Sequence, residues 1–267
     1  MGRCDRIEAE DLSCLLGQDR QPVIIDVRRR EAYGAASEVL PTAEWRDHRQ
    51  MADAPWPVGA PIVVYCAHGE QVSQSAAALL RAGGADARYL KGGIAAWQAA
   101  GGPTVGKAAV ASLSRRPSRW VTRERPKIDR IACPWLIRRF LDRTAQVFFV
   151  TPEMVLEIAA EIDGIPFDIP GVEISHDGEL CSFDVLIRRF AIADPVLHRL
   201  AVIVRGADTA RLDLAPQCAG LLAVSLGLSA TCDDDQQMLA RGMLVYDALY
   251  GWLRLASSET HTWSPPA

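Results

Sequence analysis

Apolar positions along this chain fall into two textures. Over roughly the first hundred residues, short unbroken apolar runs alternate with Ala- and Leu-rich stretches, whereas beyond about residue 126 longer segments of helical period dominate. Pro22-Val23-Ile24-Ile25-Asp26-Val27-Arg28 predicts a strand ending in charge, and Pro61-Ile62-Val63-Val64-Tyr65-Cys66 predicts a second strand that is apolar on both faces. Strands without polar alternation belong in parallel sheets covered by helices. A short helix is expected from Glu8 to about Leu16 and an Ala/Leu helix from Val72 to Arg81, closed by Gly83-Gly84. Ala87 to Leu90 reads as a short strand, and a Gly92-Gly93 turn leads into a helix from Ile94 to Ala100. This alternation predicts an α/β unit with a doubly wound parallel sheet over residues 1–106.

Between Gly101 and Pro126 the chain turns to Gly, Pro, Ala, Ser and Arg without sustained period, the signature of a connection. The linker is placed at 107–117 and a second unit at 118–256. There, Pro134 is expected at the first position of a helix running to about Arg143, where its missing N–H costs nothing. Gln146 to Val150 reads as a strand, and Thr151-Pro152-Glu153 as a capped helix start. Asp194-Pro195 repeats the device before a helix from Val196 to Arg205. Asp233 to Asp235 cap a last helix reaching about Leu255, with Leu239, Met243, Tyr246, Leu249, Tyr250 and Leu253 on one face. The second unit is therefore expected to be an α-rich α+β domain, and residues 257–267 a frayed tail.

Composition narrows the classes. At 267 residues the chain is long enough for two cores. Its 49% hydrophobic and 23% charged residues are those of an ordinary folded protein. A net charge of −4 gives no general nucleic-acid footprint, although Arg115, Arg116, Arg119, Arg123, Arg125, Lys127, Arg130, Arg138, Arg139 and Arg143 crowd one stretch, opposed only by Glu124, Asp129 and Asp142. Seven cysteines, without a Cys-x-x-Cys pair, read as reduced thiols in a chain too long to need disulfide staples. Neither a signal-peptide core nor a membrane-length apolar run is visible, so a cytoplasmic protein is expected.

Cys66-Ala67-His68-Gly69-Glu70-Gln71-Val72-Ser73 lies between an apolar strand and a helix. Ligands of open α/β sheets bind at that strand end, and the amides of such a loop, with the helix dipole behind them, stabilise a thiolate. A thiol so placed is a usable nucleophile at neutral pH. The competing reading is a small buried cysteine that completes a core strand.

Ile25-Asp26-Val27-Arg28, Val64-Tyr65-Cys66 with Gly69 and Ser73, and Leu90-Lys91-Gly92-Gly93-Ile94-Ala95-Ala96-Trp97 together resemble the rhodanese family over about residues 5–106. The resemblance implies a sulfurtransferase that needs no cofactor. Cys66 would attack the outer sulfur of a small-molecule donor, become a persulfide and pass that sulfur to a thiophilic acceptor. The amides of Ala67, His68, Gly69, Glu70, Gln71 and Val72 would cradle the sulfur, with Asp26 and Arg28 as structural support. Many active members carry arginine or lysine in this loop. Here Glu70 would repel a dianion, so the natural donor, thiosulfate or another, stays open, as does the acceptor. The segment Tyr33 to Ala43 also lacks the family's Gly-His-Ile-Pro pattern, which predicts a differently shaped entry.

Trp120 to Phe140, Ile174-Ser175-His176-Asp177-Gly178-Glu179-Leu180-Cys181-Ser182-Phe183-Asp184 and Tyr246-Asp247-Ala248-Leu249-Tyr250 resemble the C-terminal domain of ChrB-like chromate-resistance proteins over about residues 118–256. That resemblance implies a role in chromate or oxidative-stress response. From the residues themselves, Arg130 and Arg138 are candidates for an oxyanion site for chromate or sulfate, since guanidinium groups bind tetrahedral anions through paired donors. A solvated basic face is the alternative. His176, Glu179 and Cys181, with Asp208 as a fourth group, are candidate ligands for zinc or iron, or else a hydrogen-bonded turn with Asp208 as a cap. Cys133 is either a second redox thiol or a buried one. Two rival functions stay open: a non-catalytic redox or chromate sensor whose basic stretch meets DNA, and a metal-dependent redox enzyme centred on His176 and Cys181. Membranes and nucleic acid are not the expected partners, and the oligomeric state is not legible.

Overall fold

The apolar runs around Ile24 and Val64 lie side by side in the computed structural model, which describes residues 5–51, 59–113 and 115–259. In chain order the first unit runs β1 (Arg6–Ile7), α1 (Ala9–Leu15), β2 (Val23–Asp26), α2 (Arg30–Ala35), β3 (Glu38–Val39), β4 (Glu44–Trp45), β5 (Ile62–Tyr65), α3 (Gln71–Ala82), β6 (Ala87–Leu90), α4 (Gly93–Ala99), β7 (Val105–Gly106) and α5 (Lys107–Ala111). Five strands form one sheet in the order β1-β6-β5-β2-β4, and every pairing in it is parallel. All four residues of β5 are buried, as a central strand covered on both faces requires. Cys66 follows β5 at the carboxyl edge of the sheet, where the crossover into α3 leaves backbone amides unpaired.

The second unit runs β8 (Arg119–Arg123), α6 (Asp129–Leu136), β9 (Gln146–Val150), α7 (Val155–Glu161), β10 (Ile165–Pro166), α8 (Ser182–Arg189), α9 (Pro195–Asp208), α10 (Cys218–Thr231) and α11 (Asp235–Gly251). Its small sheet, β10-β8-β9, is parallel, and helices make up most of the unit. Asp194 and Asp234 cap α9 and α11, accepting from the amides of Val196 at 2.9 Å and Gln237 at 2.7 Å. No helix among the described residues is long and apolar enough to cross a membrane.

Several expectations are corrected. Pro134 does not open a helix but sits inside α6, which begins at Asp129 and passes into a wider turn over Ile137–Leu141. Burial of Ile131 and Ala132 upstream of the proline, in one face with Trp135, outweighs the backbone bond that proline removes. Thr151 makes no side-chain cap, and a short 3-10 turn, Pro152–Met154, precedes α7. The stretch taken for a linker holds α5, and Lys107 Nζ donates to the Gly34 carbonyl at 2.8 Å. Trp120 and Thr122, in the unperiodic segment, are fully buried in the middle strand β8. Of the expected tail, 257–258 form a turn, 259 is irregular and the rest lies outside the described residues, as do residues 1–4.

The two units share one apolar cluster, which joins Leu12, Leu16 and Trp97 to Trp120, Trp135, Phe140 and Tyr250. Backbone bonds cross between them, from Thr42 N to Phe140 O and from Gly106 N to Phe190 O, both at 2.9 Å. Arg139 forks onto Asp247 at 2.9 Å and also reaches Asp19 of the first unit at 3.3 Å. A guanidinium held from both units at once fixes their orientation better than a point charge could.

Candidate active site and a second polar cluster

The thiol loop is built by close backbone packing. The Ile94 amide donates to the Cys66 carbonyl at 3.0 Å and that of Ala95 to the Ala67 carbonyl at 3.1 Å, so the loop rests on the Gly92-Gly93 turn. Gly93 has φ +61°, and a Cβ there would collide with the Cys66 carbonyl; Gly69 faces the Gly92 amide equally closely at φ +69°. The paired glycines are therefore dictated by the loop lying on top of them.

Cys66 is 7% exposed, and its Sγ lies 3.2 Å from Ser73 Oγ. Burial pushes the thiol up, but the Ser73 hydroxyl and the amides of His68, Ser73 and Glu70 together overcome it and leave the thiol below its ordinary value. The thiol opens into a pocket of about 230 Å³ lined by Ala67, His68, Glu70, Gln71, Val72, Arg28 and Arg29. Gly69 lies beneath, its carbonyl receiving Gln74 Nε2 at 3.0 Å.

Asp26 is fully buried and accepts from Tyr65 Oη at 2.8 Å, from the Arg28 amide at 3.0 Å and from Arg28 Nε at 2.9 Å. Arg28 also donates to the Glu38 carbonyl at 3.1 Å, so β2, β3 and β5 are joined through one carboxylate. Arg29, exposed and without an ion pair to any described residue, borders the thiol pocket and a neighbouring basic cavity that also carries Arg30 and Arg49.

In the second unit the structure does not bring Arg130 and Arg138 together. Arg130 Nε faces Asp168 at 3.3 Å and its Nη1 donates to the Glu124 carbonyl at 2.9 Å; Arg138, beyond the far end of α6, donates from Nε to the Ala145 carbonyl at 3.1 Å. The expected two-arginine anion site is corrected accordingly: the helix starts at Asp129, so Arg130 lies in its first turn while Arg138 lies in the wider turn beyond its end.

The expected ligand group also divides. His176 and Asp208 meet, with His176 Nε2 3.2 Å from Asp208 Oδ2, but the other carboxylates beside them are Asp129 at 3.3 Å and Asp168 at 3.6 Å. Glu179 is exposed and outside the group. Cys181 is buried as the N-cap of α8, its Sγ donating to Asp184 Oδ2 at 3.4 Å. Burial, reinforced by Asp129, pushes that thiol well above its ordinary range, and the same forces act on Cys133. The hydrogen bond to Asp129 raises His176 to about 9, while burial and the Asp129 charge raise Asp208 to about 7. Asp129 was visible in the sequence only as a counter-charge to a basic run, and Asp168 carried no signal at all.

A family model described as the ChrB C-terminal domain matches residues 120–253, half of the chain. The chain belongs to the ChrB C-terminal domain family. A rhodanese-like domain precedes the ChrB domain, with its family model matching residues 8–100. The chain is 34% identical over 132 residues to Protein ChrB of Cupriavidus metallidurans, a match covering 49% of this chain and 39% of that relative's length. Among solved structures it is similar to a rhodanese-related protein of Thermoplasma volcanium, at 23% identity and a TM-score of 0.33, over 38% of this chain and 98% of that one. A rhodanese-like domain protein of Staphylococcus aureus matches at 26% identity and a TM-score of 0.32, over 35% and 91% of the two chains.

Proposed function

We propose that the rhodanese-like domain is a sulfurtransferase working through a persulfide on Cys66, and that the ChrB domain joins it to a chromate or oxidative-stress response. The observation that carries the catalytic reading is the Cys66 sulfur itself, placed before the twelve-residue α3 with the Ser73 hydroxyl and the amides of His68, Glu70 and Ser73 directed at it. Such donors stabilise a thiolate without neutralising it. The thiolate attacks the outer sulfur of the donor, the donor's S–S bond breaks, and the leaving group departs with that electron pair. Cys66 then carries the sulfur as a persulfide, whose negative end meets the same amides. Attack by a thiophile on the outer sulfur breaks the new S–S bond and returns the thiolate. This reading suits a reducing, cytoplasmic setting, because every cysteine among the described residues is a free thiol.

Membership of the ChrB C-terminal domain family and the likeness to Protein ChrB support the second half of the proposal. A sulfur-transfer assay with thiosulfate and cyanide on the full chain tests the first half. Turnover is expected in the wild type and absent in Cys66→Ser; equal turnover in both would refute the assignment. Loss of chromate tolerance on removal of the gene, restored by the full chain, tests the second.

A further inference from the structure

The cluster around His176 lies outside the thiol chemistry and is assembled from four segments. Asp129 comes from the first turn of α6, Asp168 from the loop after β10, His176 from the loop before α8, and Asp208 ends α9. Asp129 and Asp168 are 3% and 4% exposed. Asp168 is satisfied on both oxygens, with Ser182 Oγ donating to Oδ1 at 2.8 Å and Arg123 Nη2 to Oδ2 at 2.9 Å. Asp129 and Asp208 have no such cations and face one imidazole between them. Two carboxylates withdrawn from water beside a single titratable cation are costly unless a further positive charge arrives. One donor atom each of Asp129, His176 and Asp208 lie within 4.8 Å of one another, and Cys133, one turn along α6 from Asp129, is fully buried.

The spacing is that of a coordination shell. Nitrogen and oxygen ligands sit about 2.0–2.2 Å from a divalent transition ion, so neighbouring donors around one ion are roughly 3–3.5 Å apart. The separations from His176 Nε2 to Asp129 and Asp208, 3.3 and 3.2 Å, fall in that range. We propose that Asp129, His176 and Asp208 bind one divalent transition-metal ion, with Asp168 as the outer partner held by Ser182, Arg123 and Arg130. Two carboxylates and one neutral imidazole suit manganese, iron or zinc, and the two carboxylates balance the ion's charge. Entry expels the imidazolium proton and any proton shared by Asp129 and Asp208. The path in is the half-exposed ring of His176, and the positions left open on that side can take water or an anion.

Calorimetric titration of Mn2+, Co2+ and Zn2+ into the full chain, stripped with chelator and dialysed, tests this. Saturable binding of one ion per chain is expected, weakened by more than about tenfold in His176→Gln and Asp208→Asn and unchanged in Glu179→Gln. His176 is exposed enough for its variant to fold, so it carries the test should Asp208→Asn misfold. Bound Co2+ is expected to lack the sulfur-to-metal charge-transfer band that a Cys133 or Cys181 ligand would give. No saturable binding of any of these ions, unaltered binding in His176→Gln, or a thiolate band would each overturn the proposal.

Discussion

Cys66, in the loop leading into α3, and Cys181, the N-cap of α8, are both buried cysteines ahead of a helix, yet their thiols move in opposite directions. Around Cys66, amides and a hydroxyl converge on sulfur. Around Cys181, burial pushes the thiol up first, and the carboxylates of Asp129 and Asp184 add repulsion. A helix start does not by itself activate a thiol. Donors aimed at the sulfur do, and deep burial with nearby negative charge cancels them. The two regions thus differ in setting: a thiol lowered by its donors in the rhodanese-like domain, and a carboxylate cluster beside thiols raised by burial and charge in the ChrB domain.

The comparison can be broken at several points, of decreasing size. Asp26→Ala strands the buried Arg28 and leaves the Tyr65 hydroxyl without its acceptor. Loss of one member of a buried ion pair costs about 3–5 kcal/mol, so urea unfolding should show a clear drop in midpoint. An unchanged midpoint would mean that the carboxylate does not hold β2 to β5. Gly93→Ala forces a side chain against the Cys66 carbonyl at a positive φ, with an expected cost above about 1 kcal/mol and loss of sulfur transfer. Retained turnover at wild-type stability would show that the loop does not depend on that turn.

Ser73→Ala removes the hydroxyl 3.2 Å from the sulfur. The thiolate exists above the folded pKa, which lies below that of an ordinary thiol, so alkylation of Cys66 rises with pH to an early plateau. In Ser73→Ala the midpoint should move upward by about one pH unit, the equivalent of about 1.4 kcal/mol. A midpoint that stays put would remove the hydroxyl from the account. Smallest is the effect of pocket charge: Glu70→Arg should raise thiosulfate turnover, and Arg29→Ala should lower it, each by about two- to fivefold with screening by salt. Salt-independent rates in both variants would contradict the electrostatic reading.

What the sequence disclosed follows the same division. The thiol site is local, because eight consecutive residues and one Gly-Gly turn build it, and both are visible as motifs. The strand and helix order of the first unit was legible for the same reason, since apolar runs at Ile24 and Val64 specify a buried parallel sheet. The carboxylate cluster is not local. Asp129, Asp168 and Asp208 are brought together only by the packing of α6, α9 and the loops between, and no short pattern encodes such a meeting. Buried Trp120 in β8 was hidden because the strand is flanked by arginines whose charges made the segment look solvated. Arg29 escaped notice because its place beside the thiol pocket depends on where α2 begins relative to the thiol loop.

The central claim is that Cys66 carries transferable sulfur. Intact-mass measurement of the full chain after incubation with a persulfide donor, followed by addition of cyanide, tests it most directly. One added sulfur in the wild type, removed by cyanide and never formed in Cys66→Ser, is the result expected. An added sulfur that persists in Cys66→Ser, or no added sulfur on a folded wild-type chain, would contradict it.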